Sequence, residues 1–378
     1  MRLVMNMKDK LVIIASVRNP DVISDYAKNM AAHKFDKDET LFMILTEDFV
    51  DKSTYTSKLK DSGLEGMVLN QRDRDKILKE NRLEKYAKLI PKRTHAETSF
   101  GLMYMLLHEE FKYGFFIDDD TAPAPKFNYF KSHIDKLNYK GRVEEVRSDK
   151  GWVNVLYQCF KRRGLYPRGY PYSKMGEHTS VSSTKINKPV YISQGLWTNI
   201  PDLDAIRILM DGNLDGRSKT RLAVSDYKGN FVVGKRNFLT VCSMNLAFRR
   251  EIIPAFYQMR MDDNPYHISR FDDIWSGCIA KKVLDGAGGH IMSGFPLCIH
   301  NKAPRSTFKD ISFEAPGYES NEYFSESLRN IKTDGDDIRN AAQKIADTLS
   351  SKGKTPFIKY CAKDFGEWLK MCDKVGSA

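Results

Sequence analysis

Three short apolar runs, separated by polar stretches of helical length, open the chain. Leu11-Val12-Ile13-Ile14-Ala15-Ser16-Val17 is rich in β-branched residues and stops at Asn19-Pro20. Leu41-Phe42-Met43-Ile44-Leu45 stops at Thr46-Glu47-Asp48, and Met67-Val68-Leu69 is a shorter third run. Runs that are apolar at every position rather than at alternate ones suit strands buried on both faces. Phe100, Met103, Leu107 and Phe111 recur at helical spacing and predict a helix over about residues 96–111. Phe115-Phe116-Ile117 then reads as a buried strand, with Asp118-Asp119-Asp120 directly after it. This β–α alternation predicts a mostly parallel sheet with helices on both faces, in which a ligand lies beyond the carboxyl ends of the strands.

From about residue 150 to 305 glycine, proline and aromatic residues are more frequent, which predicts shorter elements and longer loops. The pattern changes again after Pro316. Ile338, Ala341, Ala342, Ile345 and Leu349 mark one amphipathic helix, and Phe365, Trp368, Leu369 and Cys372 mark another. We expect a catalytic domain over residues 1–310 and a small helical appendage over 311–378.

A chain of 378 residues, 41% hydrophobic and 29% charged, buries a sizeable core, which excludes wholesale disorder. No run approaches the ~18 apolar residues of a membrane span, so no membrane partner is expected. The six cysteines form no CxxC pair, so neither a disulfide framework nor a thiolate zinc site is indicated. A soluble, cytoplasmic protein is the expectation. The net charge of +11 changes the picture because it is concentrated. Residues 159–174 carry +5 and residues 207–260 carry +6, and Tyr166, Tyr170, Tyr172, Tyr227 and Phe231 interleave with these cations. Such windows read either as solvated faces or as a surface for an anionic partner.

The chemistry is carried by scattered polar residues. The Asp118–Asp120 triplet is either a solvated acidic turn or a site for a hard cation bridging a diphosphate. If the strand pattern continues, its first and third side chains point one way and its second the other. Asp272 and Asp273, ahead of an apolar helix, either cap that helix or face a reacting centre. Asn245 is the odd polar member of a core-like stretch, and His300 taken alone reads as structural. GxGxxG after the first strand, GxxxxGK[ST], HExxH and the serine-hydrolase elbow are all absent.

Taken in order, Ile117–Asp120, Arg168-Gly169-Tyr170-Pro171-Tyr172-Ser173, Gln194–Asp204, Cys242–Phe248, Arg270–Gly277 and His300-Asn301-Lys302-Ala303 resemble the reversibly glycosylated polypeptide, or UDP-arabinopyranose mutase, family. The resemblance covers about residues 10–310 and fades beyond 312. It implies an α/β, glycosyltransferase A-type (Rossmann-like) mixed sheet flanked by helices, a UDP-sugar as donor substrate, and Mn2+ (or Mg2+) as cofactor. By the same resemblance Asp118, Asp120 and His300 hold the metal, with Asp120 the foremost ligand. Arg168 matches the arginine associated with reversible glycosylation and mutase activity, and its guanidinium would clamp the diphosphate. Arg18 and Asp73 would hold uridine, and Asp119, Gln194, Trp197, Asn199, Asp202 and Asn245 complete the nucleotide-sugar site. Asp272 and Asp273 become catalytic carboxylates beside the sugar.

Two activities use these same contacts. One is a glycosyltransferase moving a pentose from UDP-arabinose, or a related UDP-pentose, to an anionic acceptor. The basic windows favour it, with nucleic acid as partner and a hydroxymethylated base in DNA as the expected acceptor. The alternative is a mutase that interconverts the pyranose and furanose forms of UDP-arabinose with no acceptor. A non-catalytic sugar-nucleotide-binding protein is disfavoured, because the Asp triplet, Arg168 and His300 are all retained.

Overall fold

The computed structural model describes residues 8–176, 178–261 and 264–376. Its first third winds β1 (Lys10–Ala15), α1 (Asp21–Ala32), β2 (Thr40–Leu45), α2 (Lys52–Asp61), β3 (Gly66–Leu69), α3 (Gln71–Glu80), α4 (Ser99–Leu107) and β4 (Tyr113–Asp118). The three apolar runs become β1, β2 and β3, which pair in parallel, and β4 joins β1 on its other side. Leu11, Val12, Ile13 and Ile14 are fully buried because helices cover both faces of the strand. Helix α4 packs so closely on β1 that a Cβ at Gly101 would lie 2.5 Å from Ile13 Cδ1.

The helix expected over about 96–111 is shorter in the structure. Residues His95–Thr98 form a 3₁₀ turn, and α4 ends at Leu107. Phe111 lies beyond it, buried against Tyr104 and His108, where the chain turns into β4. The periodicity runs on past the helix because the turn residue serves the same core.

The middle section holds β5 (Thr121–Pro123), α5 (Tyr129–Leu137), β6 (Gly141–Ser148), β7 (Trp152–Val153), α6 (Val155–Phe160), β8 (Thr179–Ile186) and β9 (Val190–Asn199). It continues through α7 (Ala205–Met210), β10 (Phe231–Val233), β11 (Phe238–Leu239), β12 (Asn245–Arg249), α8 (Asp272–Ala287) and β13 (His290–His300). The eleven-stranded sheet has the order β3-β2-β1-β4-β12-β9-β13-β10-β6-β8, with β5 on β13. β12 runs against both β4 and β9, whereas β13 is parallel to β9, so the sheet is mixed.

The chain closes with α9 (Thr307–Arg329), α10 (Ile338–Lys352) and α11 (Pro356–Gly376). Both expected amphipathic helices form, and α9 passes through Pro316. These helices share one apolar cluster with the sheet, running from Ile13 and Phe116 to Phe324, Ile345 and Trp368. Trp275 of α8 stacks on Phe324 of α9 at 4.0 Å, and Trp368 of α11 stacks on Tyr257 at 4.9 Å.

Candidate active site

Strands β1, β4, β9 and β13 run the same way and end along one edge of the sheet, and β12 begins there. This topology gathers polar residues from distant parts of the chain. Arg18 follows β1, Asp118–Asp120 end β4, Asp202 follows β9, Ser243 precedes β12, and His300 and Lys302 close β13. With His95, Arg168, Arg270, Arg305 and the first turn of α8, all of these except Asp119 line a polar cavity of about 200 Å³.

Within the acidic triplet, Asp118 and Asp120 line this cavity, as strand alternation predicts. Asp119 turns to the β1 end, where Ser16 Oγ donates to it at 2.9 Å and Arg18 lies 3.7 Å away. Burial pushes the Asp119 carboxyl up to about 6, against the pull of Ser16 and Arg18. Asp120 stands 3.6 Å from His300 Nε2, while His300 Nδ1 is 2.7 Å from the Ile200 carbonyl. Asp118 is held instead by His95, whose Nε2 is 2.8 Å away. Desolvation opposes the charge on His95, but Asp118 outweighs it and keeps the imidazole protonated.

Arg168 is locked rather than free. Its Nε donates to Asp202 at 2.9 Å, a terminal nitrogen lies 3.4 Å from Asp273, and another donates to the Arg270 carbonyl. Gly169 makes this placement possible. Its φ is +77°, and a Cβ there would lie 2.4 Å from Ile274 Cδ1 in the first turn of α8. Burial would raise the Asp202 carboxyl, but Arg168, Lys302 and His300 hold it well below the usual range. Neither Asp272 nor Asp273 caps α8 through its side chain; the cap position is Phe271. Asp273 accepts from the Ser243 N–H at 3.2 Å, and burial followed by repulsion from Asp273 raises Asp272.

One cation in the cavity is unsatisfied. Lys302 is 6% exposed, and its ammonium has no hydrogen-bond partner among the described residues. Burial pulls it down to about 8 against the attraction of Asp202, with Arg305 and Arg270 adding to the fall. Those two arginines are anchored elsewhere: Arg270 Nε on Glu314 at 2.6 Å and Arg305 Nε on Asp310 at 2.7 Å. A buried ammonium with no hydrogen bond among the described residues is costly even with Asp202 nearby, so its retention at a cavity wall points to an anionic ligand.

Other expected residues do not line this cavity. Gln194 is buried between Thr240 and Ser293, bonding to both, and Trp197 is fully buried beside it in β9. Asn245 Oδ1 accepts from His133 Nε2, and its Nδ2 donates to the Leu196 and Pro296 carbonyls, cross-linking three strands. Asn199, at φ +66°, donates to the His300 carbonyl and so fixes the β13 end. Asp73 completes a capping box with Asn70 at the start of α3 and pairs with Lys52 at 2.6 Å. A polar side chain in a strand is as easily consumed by cross-strand bonding as by a ligand, and spacing does not distinguish the two. In the other direction, roles for His95, Ser243, Arg270, Lys302 and Arg305 were not read from the sequence. Lys302 carried a signal, standing two residues beyond His300 at a strand end. His95 carried none, because it comes from a turn whose neighbours are not a motif.

The reversibly glycosylated polypeptide family model matches residues 42–377. The chain belongs to this family. UDP-arabinopyranose mutase 1 of Oryza sativa subsp. japonica is 28% identical over 382 residues, covering 98% of this chain and 92% of that protein. Probable UDP-arabinopyranose mutase 4 of Arabidopsis thaliana is 33% identical over 276 residues, covering 70% of this chain and 68% of that protein. Among solved structures, a mannosyltransferase from Pyrobaculum calidifontis in complex with GDP-Man and Mn2+ aligns with a TM-score of 0.36 and 11% identity, covering 98% of this chain and 85% of that one. The mixed sheet flanked by helices expected from the sequence is the one this chain adopts.

These relatives overturn the expectation of a transferase acting on DNA, since the curated proteins that match along the chain are named as mutases. The structure supplies the physical reason the basic windows misled. Many of their cations are internal staples: Arg162 pairs with Asp226 at 2.7 Å, Arg260 with Asp364 at 2.9 Å, and Arg217 with Asp215. Arg207 pairs with Asp204 and lies over the Tyr166 and Tyr172 rings, while Arg249 and Arg250 donate to backbone carbonyls. The interleaved Tyr170 and Phe231 are buried and offer no stacking platform for a base. Among the described residues no helix is long and apolar enough to cross a membrane.

Proposed function

We propose that this protein is a UDP-arabinopyranose mutase, interconverting the pyranose and furanose forms of UDP-arabinose without an external acceptor. The observation that carries this reading is the meeting of locked Arg168, the Asp272–Asp273 pair and the unpartnered Lys302 ammonium in one cavity. Relatives named for this activity cover up to 98% of the chain.

The residues present fit a divalent cation, Mn2+ or Mg2+. Asp120 and His300 offer a carboxylate and an imidazole 3.6 Å apart in the wall of the same cavity, the oxygen and nitrogen donors such a cation takes. Among the described residues no three or more His, Cys, Asp or Glu side chains are arranged to hold a metal ion by themselves, so substrate oxygens and water would supply the remaining ligands. When bound, the cation would supply charge that stabilises the departing UDP.

Lys302 and Arg18 bind the diphosphate in this scheme, taking the role expected of Arg168, whose donors are already spent on carboxylates. Asp202 and Asp273 orient the Arg168 guanidinium beside the sugar. When the anomeric C–O bond breaks, the Asp272 and Asp273 carboxylates stabilise positive character on the pentose. One sugar hydroxyl then attacks the anomeric carbon as the bond from that carbon to the former ring oxygen breaks, and the proton lost by the attacking hydroxyl is returned to the released oxygen. Asp272, raised to about 6, is suited to hold and return that proton. UDP then attacks the rearranged sugar, so nothing outside the pair of isomers is consumed.

Chromatography of UDP-arabinopyranose incubated with the protein and Mn2+, without acceptor, tests this. Catalytic appearance of the furanose isomer, lost on chelation and restored by metal, is expected. Unchanged substrate under conditions where UDP binds would overturn the reading.

Lys302→Met should weaken UDP binding by ~10- to 100-fold, the worth of charge-assisted bonds to a phosphate. Calorimetry reads the affinity. The melting temperature of the ligand-free protein should stay level or rise, because the variant removes an unpaired buried charge. Unchanged affinity would remove Lys302 from the diphosphate site.

A further inference from the structure

We propose that His95 is a positioning residue that ties the strand-end carboxylates to the Arg168 machinery and closes the wall of the sugar side of the cavity. The inference rests on the mutase reading and extends it to a residue outside the recognised motifs.

The geometry is a continuous polar arc. His95 Nε2 lies 2.8 Å from Asp118, and its Nδ1 is 3.3 Å from Ser243 Oγ. The Ser243 N–H donates to Asp273 at 3.2 Å, Asp273 lies 3.4 Å from Arg168, and Arg168 reaches Asp202 at 2.9 Å. The imidazole is thus the link between the β4 end, where the nucleotide is expected, and the α8 turn beside the sugar. Asp118, Asp120, Asp202, Asp272 and Asp273 crowd the same cavity, and like charges at such range repel. The imidazole, set between Asp118 and Ser243, fixes the separation of the β4 carboxylates from the α8 pair.

His95 is held from behind. Glu97, two residues on, pairs with buried Arg74 at 2.9 Å, and Arg74 also faces Glu47 at 3.6 Å. The same Glu47 accepts from the Arg93 N–H at 2.6 Å. Residues on both sides of His95 are therefore anchored to one buried ion cluster, which leaves the ring little freedom. His95 also stands in the wall shared with a second cavity of about 900 Å³. That wall matters to a mutase, because a pentose detached from UDP is lost if water reaches its anomeric carbon.

The test compares wild type, His95→Ala and His95→Gln, measuring furanose formation, free arabinose and UDP affinity. His95→Ala should lower kcat by ~100-fold, the cost of misplacing a reacting group by about an ångström. UDP affinity should hold within about twofold, and free arabinose should rise relative to UDP-arabinofuranose. Glutamine, which keeps an N–H donor and much of the volume, should recover most of both losses. A His95→Ala enzyme with full kcat and no added hydrolysis overturns the inference. So does a loss of UDP affinity that accounts for the whole defect, or a glutamine variant no better than alanine. The wild-type furanose assay tests the mutase reading alone, so the two ideas fail separately.

Discussion

Arg168→Lys should reduce interconversion of UDP-arabinose by ~100-fold, the cost of misplacing the Asp273 carboxylate that the guanidinium holds beside the sugar. Arg168 satisfies two carboxylates and a carbonyl with different nitrogens of one planar fork. A lysine ammonium is a single point on a flexible stem and reaches one of those carboxylates at a time. Either Asp202 or Asp273 is then left buried without its partner, and breaking a buried pair costs about 3–5 kcal/mol. The variant should therefore melt earlier as well as turn over slowly. Initial rates and thermal unfolding measured on one preparation separate the two effects. A lysine variant within tenfold of wild type would show that charge alone, not the fork, is what the reaction uses.

The second large effect concerns the scaffold under the acids. Trp275→Ala should destabilise the protein by about 3–5 kcal/mol, as expected for truncating a buried tryptophan. The indole lies parallel to Phe324 at 4.0 Å, and its Nε1 donates to Asn321 at 3.0 Å, so it joins α8 to α9 by both stacking and a hydrogen bond. Asp272 and Asp273 sit in the first turn of the same α8, and Ile274 wedges Gly169. Loosening α8 should consequently lower activity at temperatures where the protein remains folded. Denaturant melts followed by far-UV and tryptophan signals check this, with one shared transition expected. Two separated transitions would show that α9–α11 unfold independently of the sheet.

Much of the fold is readable along the chain. β1, β2 and β4 are covered on both faces, so their inner positions are apolar without alternation and the runs stand out. The end of α4 does not stand out, because Phe111 in the following turn continues the helical spacing. Within the site, Asp118 and Asp120 are readable because they end a buried strand. Gln194, Trp197 and Asn245 belong to a matching motif yet serve cross-strand bonding and packing, so a motif alone does not separate ligand contact from architecture.

The sequence by itself determined the parallel opening of the sheet, the acidic strand end and the family, because these depend on order and short-range pattern. Tertiary structure decided which charges remain available. Arg162, Arg207, Arg217 and Arg260 count equally with Lys302 in a net charge, yet they pair with carboxylates of this chain, whereas the Lys302 ammonium has no hydrogen bond among the described residues. It also brought His95 to Asp118, across a helix and a strand. Charge is additive along a chain, but electrostatic interaction falls with distance and with screening, so only folding determines which partners each ion has.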